Sequence, residues 1–347
     1  MADLKQSKLI ISSADAASAV LPSSQDSVDD TDGATEFVEF ESRKASVPVG
    51  SHGERLDRTL ALIVPEFSRS YLQQLIASGA VLHNGLAQIK SSTRVKAGDS
   101  LTIELKPTPQ SQAFKPEAMA LDVVFEDEFL LVINKPAGLV VHPAPGNWSG
   151  TLLNGLLARD AQAANLPRAG IVHRLDKDTS GLMVVARTRQ TMDQLVGMIA
   201  ARHVSRQYLA LAHHPWKGAK TRHIDMAVGR DTKNRLRMAV VDLDKQAGKA
   251  ASTDITLIDN GSANCLVHCK LHTGRTHQIR VHMAAIGHPL VSDALYGGAL
   301  AAGMQRQALH ACRLAFDHPA TGRALAFVSN LPPDMQLAIT DLALRYN

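Results

Sequence analysis

The sequence predicts an α+β protein: a mixed, mostly antiparallel β-sheet flanked by a few helices, preceded by a smaller α/β domain. Three observations carry this reading. From about residue 118 onward, strand-like runs outnumber helical ones. Residues 55–76 carry a helical apolar period. No period of 20–50 residues repeats, which excludes a solenoid. With 347 residues and 45% hydrophobic composition, the chain is long enough for two domains and a sizeable core.

Residues 1 to about 45 are rich in Ser, Ala and Asp and lack periodicity, so a disordered acidic tail is expected there. A small domain then spans 47–105. Leu56, Leu60 and Ile63 share one helical face until Pro65 interrupts it. Tyr71, Leu72, Leu75 and Ile76 form a second amphipathic helix, capped by Ser68 or Ser70 and ended by Gly79. Val81–His83 reads as a strand closed by an Asn84-Gly85 turn, and Val95–Ile103 as a turn entering another strand. Residues 106–117, with Pro107 and Pro109, form a linker. The main domain covers 118–340. Its strands are expected at Val123–Asp127, Leu130–Gly138, Gly181–Ala186, Tyr208–Ala212, Thr253–Ile258, Cys265–Leu271 and Ala324–Val328. Gln190–Ala200 and His277–Ile286 are the helix candidates.

Composition narrows the function. No apolar run approaches the roughly 18 residues of a membrane span, and Leu9-Ile10-Ile11 is too short for a secretory signal. Three cysteines make a disulfide framework improbable, so a reducing cytoplasm is expected. Cys265 and Cys269 flank His268 but sit in a strand without a second Cys pair; they read as core thiols, and no metal is expected. Aromatic residues, at 4%, are too few for an extended base-stacking platform. The net charge of +4 conceals an asymmetry, because residues 1–50 hold nine acids against four bases. The basic remainder suits a polyanionic partner.

In His173-Arg174-Leu175-Asp176, the carboxylate lies between Arg174 and Lys177, and Thr179-Ser180-Gly181 follows. Neighbouring positive charge holds such an Asp ionised, fit to act as nucleophile or base, or simply to pair within a turn. Taken alone, the tetrapeptide favours the turn. Its longer context, residues 169–187, strongly resembles the signature of the pseudouridine synthase family that modifies uridines in large-subunit ribosomal RNA. Arg206-Gln207-Tyr208 resembles that family's basic-x-Tyr strand, and Thr273–His282 matches its TGRTHQIRVH segment. Gly248–Thr253, Leu309–Ala311 and His318-Pro319 add weaker agreement. Residues 53–105 resemble an S4 RNA-binding module, with Arg55, Arg58, Arg69, Arg94 and Lys96 as candidate RNA contacts. The likeness covers residues 53–340. The pairing of the S4-like part with Asn134-Lys135-Pro136 and Val141-His142-Pro143 resembles the family's D type.

The resemblance implies a catalytic domain with a central RNA-binding cleft. It implies that Asp176 attacks or deprotonates the ribose, that Tyr208 packs on the base and takes the proton from its C5, and that Arg280 pairs with Asp176. It further implies that Arg174 enters the RNA to help displace the target, with His173, Arg275, His277 and Gln278 beside it. The D type implies uridines of the stem-loop called helix 69, in ribosomal RNA or its precursor particle, modified by a monomer. Isomerisation changes no oxidation state, so no cofactor is expected. Three departures stand out: Arg206 where Lys is usual, Ala250 where Pro is usual, and Ser292-Asp293-Ala294 in place of Gly-Asp-Pro. Two other readings stay open at this point, a paralogue for another rRNA or tRNA uridine and a non-catalytic RNA-binding assembly factor; an N-glycosidase releasing uracil is a third.

Overall fold

A computed structural model describes residues 9–12, 41–105, 113–144, 146–234 and 236–346. The described residues between 41 and 113 form one compact unit; residues 114–346 form the other, together with 9–12. The first strand, β1 (Leu9–Ser12), pairs in parallel with the last strand of the larger unit.

The smaller unit contains β2 (Glu41–Ser46), α1 (Leu56–Ile63), α2 (Arg69–Ala77), β3 (Val81–His83), β4 (Leu86–Ala87) and β5 (Ser100–Leu105). Its antiparallel sheet runs β2-β5-β3-β4. Leu56, Leu60, Leu72, Leu75 and Ile76 are buried against Val81, Leu101 and Ile103, each such side chain contributing about 1.5–3 kcal/mol on burial. Ser68, not Ser70, caps α2, its Oγ accepting from the Tyr71 amide at 3.3 Å. The described part of the unit extends six residues before the expected boundary. β2 pairs through its backbone with β5 along its whole length, so a polar segment such as Glu41-Ser42-Arg43-Lys44 is an edge strand although it carries little apolar signal. The strands at 9–12 and 41–46 also correct the expectation of disorder at those positions; the rest of the expected tail lies outside the described residues.

Asp57 organises this unit. It is fully buried and accepts from Arg55, Arg69 and Gln73. Burial pushes its carboxyl up, but these donors outweigh burial and hold it well below the usual carboxylate range. A depressed folded-state pKa contributes stability that is present above the unfolded value of about 4 and is lost as pH falls through the folded one. Hydrogen exchange of α1 and α2 amides in the full chain is therefore expected to accelerate as pH drops below about 4, after correction for intrinsic rates. Asp57→Asn should flatten that dependence; an unchanged profile would remove Asp57 as its source.

The larger unit continues with β6 (Val123–Glu126), β7 (Leu130–Lys135), α3 (Leu152–Arg159), β8 (Ser180–Ala186), α4 (Arg189–Ala200), β9 (Ser205–His213), β10 (Thr221–Asp225), β11 (Val228–Arg230), β12 (Met238–Val240), β13 (Gly248–Lys249), β14 (Ser252–Asn260), β15 (Asn264–Leu271), α5 (Gln278–Ala285), β16 (Leu309–Asp317), β17 (Ala324–Val328) and α6 (Pro333–Asp341). One sheet runs β10-β14-β15-β9-β16-β8-β7-β6, with β17 and then β1 attached through β16. Its pairings are antiparallel except β16 with β8 and β1 with β17. A small second sheet runs β12-β11-β13. The expectation of a mixed, mostly antiparallel sheet holds.

Both faces of the large sheet are covered. Along β8, Met183 and Val185 face one apolar cluster while Leu182, Val184 and Ala186 face another, to which α4 contributes Leu195. Along β9, Tyr208, Ala210 and Ala212 belong to the first cluster, and Leu209 and Leu211 to a third that α6 covers with Met335, Ala338 and Ile339. The expected linker is shorter than 106–117. Residues 106–112 lie outside the described residues, and Lys115 and Glu117 are already bound to the larger unit: Asn154 Nδ2 donates to the Lys115 carbonyl and the Glu117 amide to that of Asn154. Among the described residues, no helix is long and apolar enough to cross a membrane.

Candidate active site

The loop from Val172 to Thr179 descends from the bridge between Ile171 and Val185 and re-enters the sheet at β8. Gly181 makes the re-entry possible. Its φ is 112°, and a Cβ there would lie 2.3 Å from the Ala311 carbonyl oxygen of β16. Two further contacts fix the loop. His173 Nε2 accepts from the Val184 amide at 3.1 Å. The Lys135 ammonium, 1% exposed, donates to the carbonyls of Pro136, Leu139 and Lys177 at 2.8–2.9 Å. Burial pulls its pKa down to about 7. Lys135 thus ties the Asn134-Lys135-Pro136 segment to the carbonyl of Lys177, the residue after Asp176.

Arg280, in the first turn of α5, meets this loop. Its Nη1 donates to Asp176 Oδ2 at 3.0 Å, while Nε and Nη2 donate to the two oxygens of Asp293 at 2.7 and 2.8 Å. The Arg280 side chain is 7% exposed and that of Asp176 17%. Burial works against the Arg280 charge, but Asp293 and Asp176 outweigh it and raise its pKa. The guanidinium also lies over the Tyr296 ring, 4.9 Å from its centroid.

His277, which precedes α5 in a left-handed conformation (φ 57°), approaches the other oxygen of Asp176, with Nε2 at 3.8 Å from Oδ1. The Tyr296 hydroxyl accepts from the Met238 amide, so its own hydrogen is free for His277 Nδ1 at 2.7 Å. Burial holds the His277 imidazole below its ordinary pKa. A neutral ring accepting at Nδ1 carries its proton on Nε2, facing Asp176.

Asp176, Tyr208, Arg280, Arg174, Arg275 and His277 border one cavity of about 810 Å³, to which His173 and Gln278 also contribute. That volume lies within the range of small-molecule sites. Tyr208 is 5% exposed, and burial pushes its phenol up to about 12, so the hydroxyl is protonated at neutral pH. Arg174 is exposed, without a side-chain partner among the described residues. Arg275 Nε donates to the Ala250 carbonyl. Gln278 is fully committed: Oε1 accepts from Thr273 Oγ1 and the Arg275 amide, and Nε2 donates to the Ser252 carbonyl and Thr253 Oγ1. It and His173 build the cavity wall, with those polar atoms directed at the protein itself. Of the expected contacts in the smaller unit, Arg55 and Arg69 bind Asp57, Arg58 pairs with Glu54, Arg94 donates to the Gly53 carbonyl, and Lys96 is exposed.

Two groups of residues escaped sequence reasoning. Asp293 is one; the only signal was an Asp retained between two altered neighbours. The structure explains how the altered run works. Ser292 occupies a left-handed φ of 60°, which favours the glycine usual there, and its Oγ donates to the Met304 carbonyl at 2.9 Å. Asp293 still reaches Arg280. The other group is Arg168 and Arg202, exposed cations on the cavity border, whose positions no motif marks.

Among the described residues, one cluster has donors close enough to be a candidate ligand set, and it does not include the cysteines. Cys265 and Cys269 are buried in the core while His268 hydrogen-bonds Gln207. His223, Asp254 and His272 place their donors within 4.8 Å of one another, but both Asp254 oxygens already accept from the imidazoles at 2.6 Å.

Comparison with known proteins gives concordant results. The family described as RNA pseudouridylate synthase matches residues 129–285. The chain is 45% identical over 312 residues to a Neisseria meningitidis protein named ribosomal large subunit pseudouridine synthase D, covering 86% of this chain and 81% of the relative. A Pseudomonas aeruginosa protein of the same name is 45% identical over 305 residues, covering 84% and 93%. Among solved structures, human RNA pseudouridylate synthase domain containing 1 aligns with a TM-score of 0.51 at 26% identity, covering 65% of this chain and 90% of that one.

Proposed function

The chain belongs to the RNA pseudouridylate synthase family, and on that premise we propose that it converts uridine to pseudouridine in large-subunit ribosomal RNA, within the helix 69 stem-loop. The observation that carries the reading is the arrangement Asp293–Arg280–Asp176 beside Tyr208 in one cavity. Isomerising uridine requires a carboxylate at the ribose, a closed space in which the freed base turns, and exclusion of water, since hydrolysis would leave an abasic site. In this reading, Asp176 attacks C1′ or takes the C2′ proton. Arg280 holds one carboxylate oxygen and leaves the other for the ribose. Tyr208 packs against the base, and its hydroxyl, a weak acid at about 12, gives its proton to N1 only once the turned base has bonded C1′ through C5, and takes the C5 proton in exchange.

Displacing a base from its stack costs a few kcal/mol, least in a loop. Exposed Arg174 is positioned to fill the vacated space, and Arg168, Arg202 and Arg275 to neutralise phosphates around it. The smaller unit serves as an S4-type anchor, with Lys96 and the outward edges of Arg58 and Arg69 facing the RNA. The enzyme acts as a cytoplasmic monomer on ribosomal RNA or its precursor particle, without a cofactor.

Pseudouridine mapping of large-subunit RNA with and without the gene tests the proposal. Loss of modification confined to helix 69 is expected, with restoration by the wild-type chain. Loss at another rRNA or tRNA uridine would make the enzyme a paralogue of different target. Release of free uracil from RNA would make it a glycosidase.

A further inference from the structure

The mechanism above leaves one buried cation without a task. Arg206 is 6% exposed. Its Nε is buried without a hydrogen-bond partner, and its guanidinium forms no ion pair among the described residues. The contrast with Arg280, equally buried and gripped by two carboxylates, is direct. Leaving a buried guanidinium nitrogen without an acceptor is unfavourable, and a ligand in the cavity can supply one.

Position indicates what that ligand is. Arg206 and Tyr208 are two residues apart on β9 and therefore share one face of the sheet, the face toward the cavity, which both line. The guanidinium lies against the Thr273-Gly274-Arg275 backbone: a Cβ on Gly274 would sit 2.7 Å from its Nη1. The glycine of that motif keeps the space Arg206 needs. Of the other cavity arginines without carboxylate partners, Arg168, Arg174 and Arg202 are exposed, as suits contacts to a phosphate backbone crossing the mouth, and Arg275 is half-buried with its Nε donating to the Ala250 carbonyl. Arg206 alone is buried with Tyr208, where the base is held.

We propose that Arg206 holds the negative charge of the uracil while it is detached from the ribose. When the C1′–N1 bond breaks, its electron pair passes to the base, giving a monoanion shared among N1, O2 and O4. C1′ is meanwhile bonded to the Asp176 carboxylate, or joined to C2′ by a double bond after Asp176 has taken the C2′ proton. The base turns, and C5 bonds to C1′ as the C1′–Asp176 bond breaks, or as Asp176 returns its proton to C2′; Tyr208 then gives its proton to N1 and takes the one C5 loses, so no oxidant or reductant enters. A fixed guanidinium in a water-poor cavity stabilises the anion without reorganising, and Coulomb attraction retains the base as it turns.

This inference rests on the proposed synthase activity, so its test uses an RNA that the wild-type chain demonstrably pseudouridylates; failure of the wild type would sink the functional reading instead. Arg206→Met is expected to lower the single-turnover rate about 10²–10³-fold, while RNA affinity and its salt slope stay at wild-type values. Arg206→Lys should recover most of that loss. With 5-fluorouridine at the target, whose base departs more readily, the Met variant should lose less, read as consumption of the nucleoside. An equal loss on both substrates, or a Met variant at wild-type rate, overturns the proposal. So does a loss carried by weaker binding and a salt slope reduced by about 0.9, which assigns Arg206 to a phosphate. Should the Met variant fail to fold, Gly274→Ala decides: its Cβ displaces the guanidinium, and a rate about tenfold lower at unchanged affinity is expected. An unchanged rate there would equally refute it.

Discussion

Asp176→Asn is expected to abolish pseudouridine formation, lowering the single-turnover rate by about 10⁴-fold or more, while most RNA affinity remains. The substitution keeps the shape of the side chain and leaves an oxygen that can still accept from Arg280 Nη1, now 3.0 Å from Oδ2. The loop is held independently by Lys135, through the Lys177 carbonyl, and by His173, through the Val184 amide, so the cavity survives. What disappears is the anionic oxygen proposed to act on the ribose, and an amide can neither attack C1′ nor take a proton from C2′. The proposed RNA contacts are arginines and not this carboxylate, so removing one negative charge is expected to leave affinity near its original value or slightly tighter. Filter binding and quench-flow on one RNA separate the two quantities. A variant within about 100-fold of the wild-type rate would show that Asp176 is not the group acting on the ribose.

How much of this was legible before the fold was known depends on how local each signal is. Helix α1 was read from Leu56, Leu60 and Ile63, and α2 from Tyr71 to Ile76, because a surface helix keeps its apolar residues on one face. Strand β16 was missed although Leu309–Asp317 forms nine residues of it. It pairs with β9, β8 and β17 and is buried on both faces at its start, so no alternation survives. Helix α3 hid behind Asn154 and Gly155; the glycine is dictated by Met119, whose Cγ would lie 2.6 Å from a Cβ there. Strand β2 hid in polar composition. In the site, Asp176, Tyr208 and Arg280 came from motifs and meet at one cavity, which periodicity could not have foretold. Motif membership also carried over Gln278 and His173, yet the fold engages Gln278 with its own backbone and threonine hydroxyls, and His173 Nε2 with the Val184 amide. Asp293 and the unpartnered state of Arg206 are facts of three-dimensional proximity, with no local pattern to announce them.

Asp293 shows what that proximity does, and its removal should be nearly as damaging as loss of Asp176. The residue is 1% exposed and takes two of the three hydrogen bonds that orient Arg280. In Asp293→Ala, Nε and Nη2 of a buried guanidinium lose both acceptors, which destabilises the protein by about 3–5 kcal/mol. The nearest remaining carboxylate is Asp176, already bound to Nη1. The guanidinium is then expected to turn its fork onto Asp176 and engage both oxygens, so the carboxylate proposed to act on the ribose is neutralised by the residue that now orients it. A rate about 10³-fold lower is expected, with little change in RNA affinity, because Asp293 is buried and is not among the proposed phosphate contacts. Asp293→Asn, retaining one acceptor and most of the shape, should fall between Ala and wild type in both melting temperature and rate. The order of the two variants is the decisive measurement. If Ala and Asn destabilise the fold as predicted yet leave the rate of the folded fraction intact, then Asp293 supports the fold alone and Arg280 finds its catalytic orientation without it.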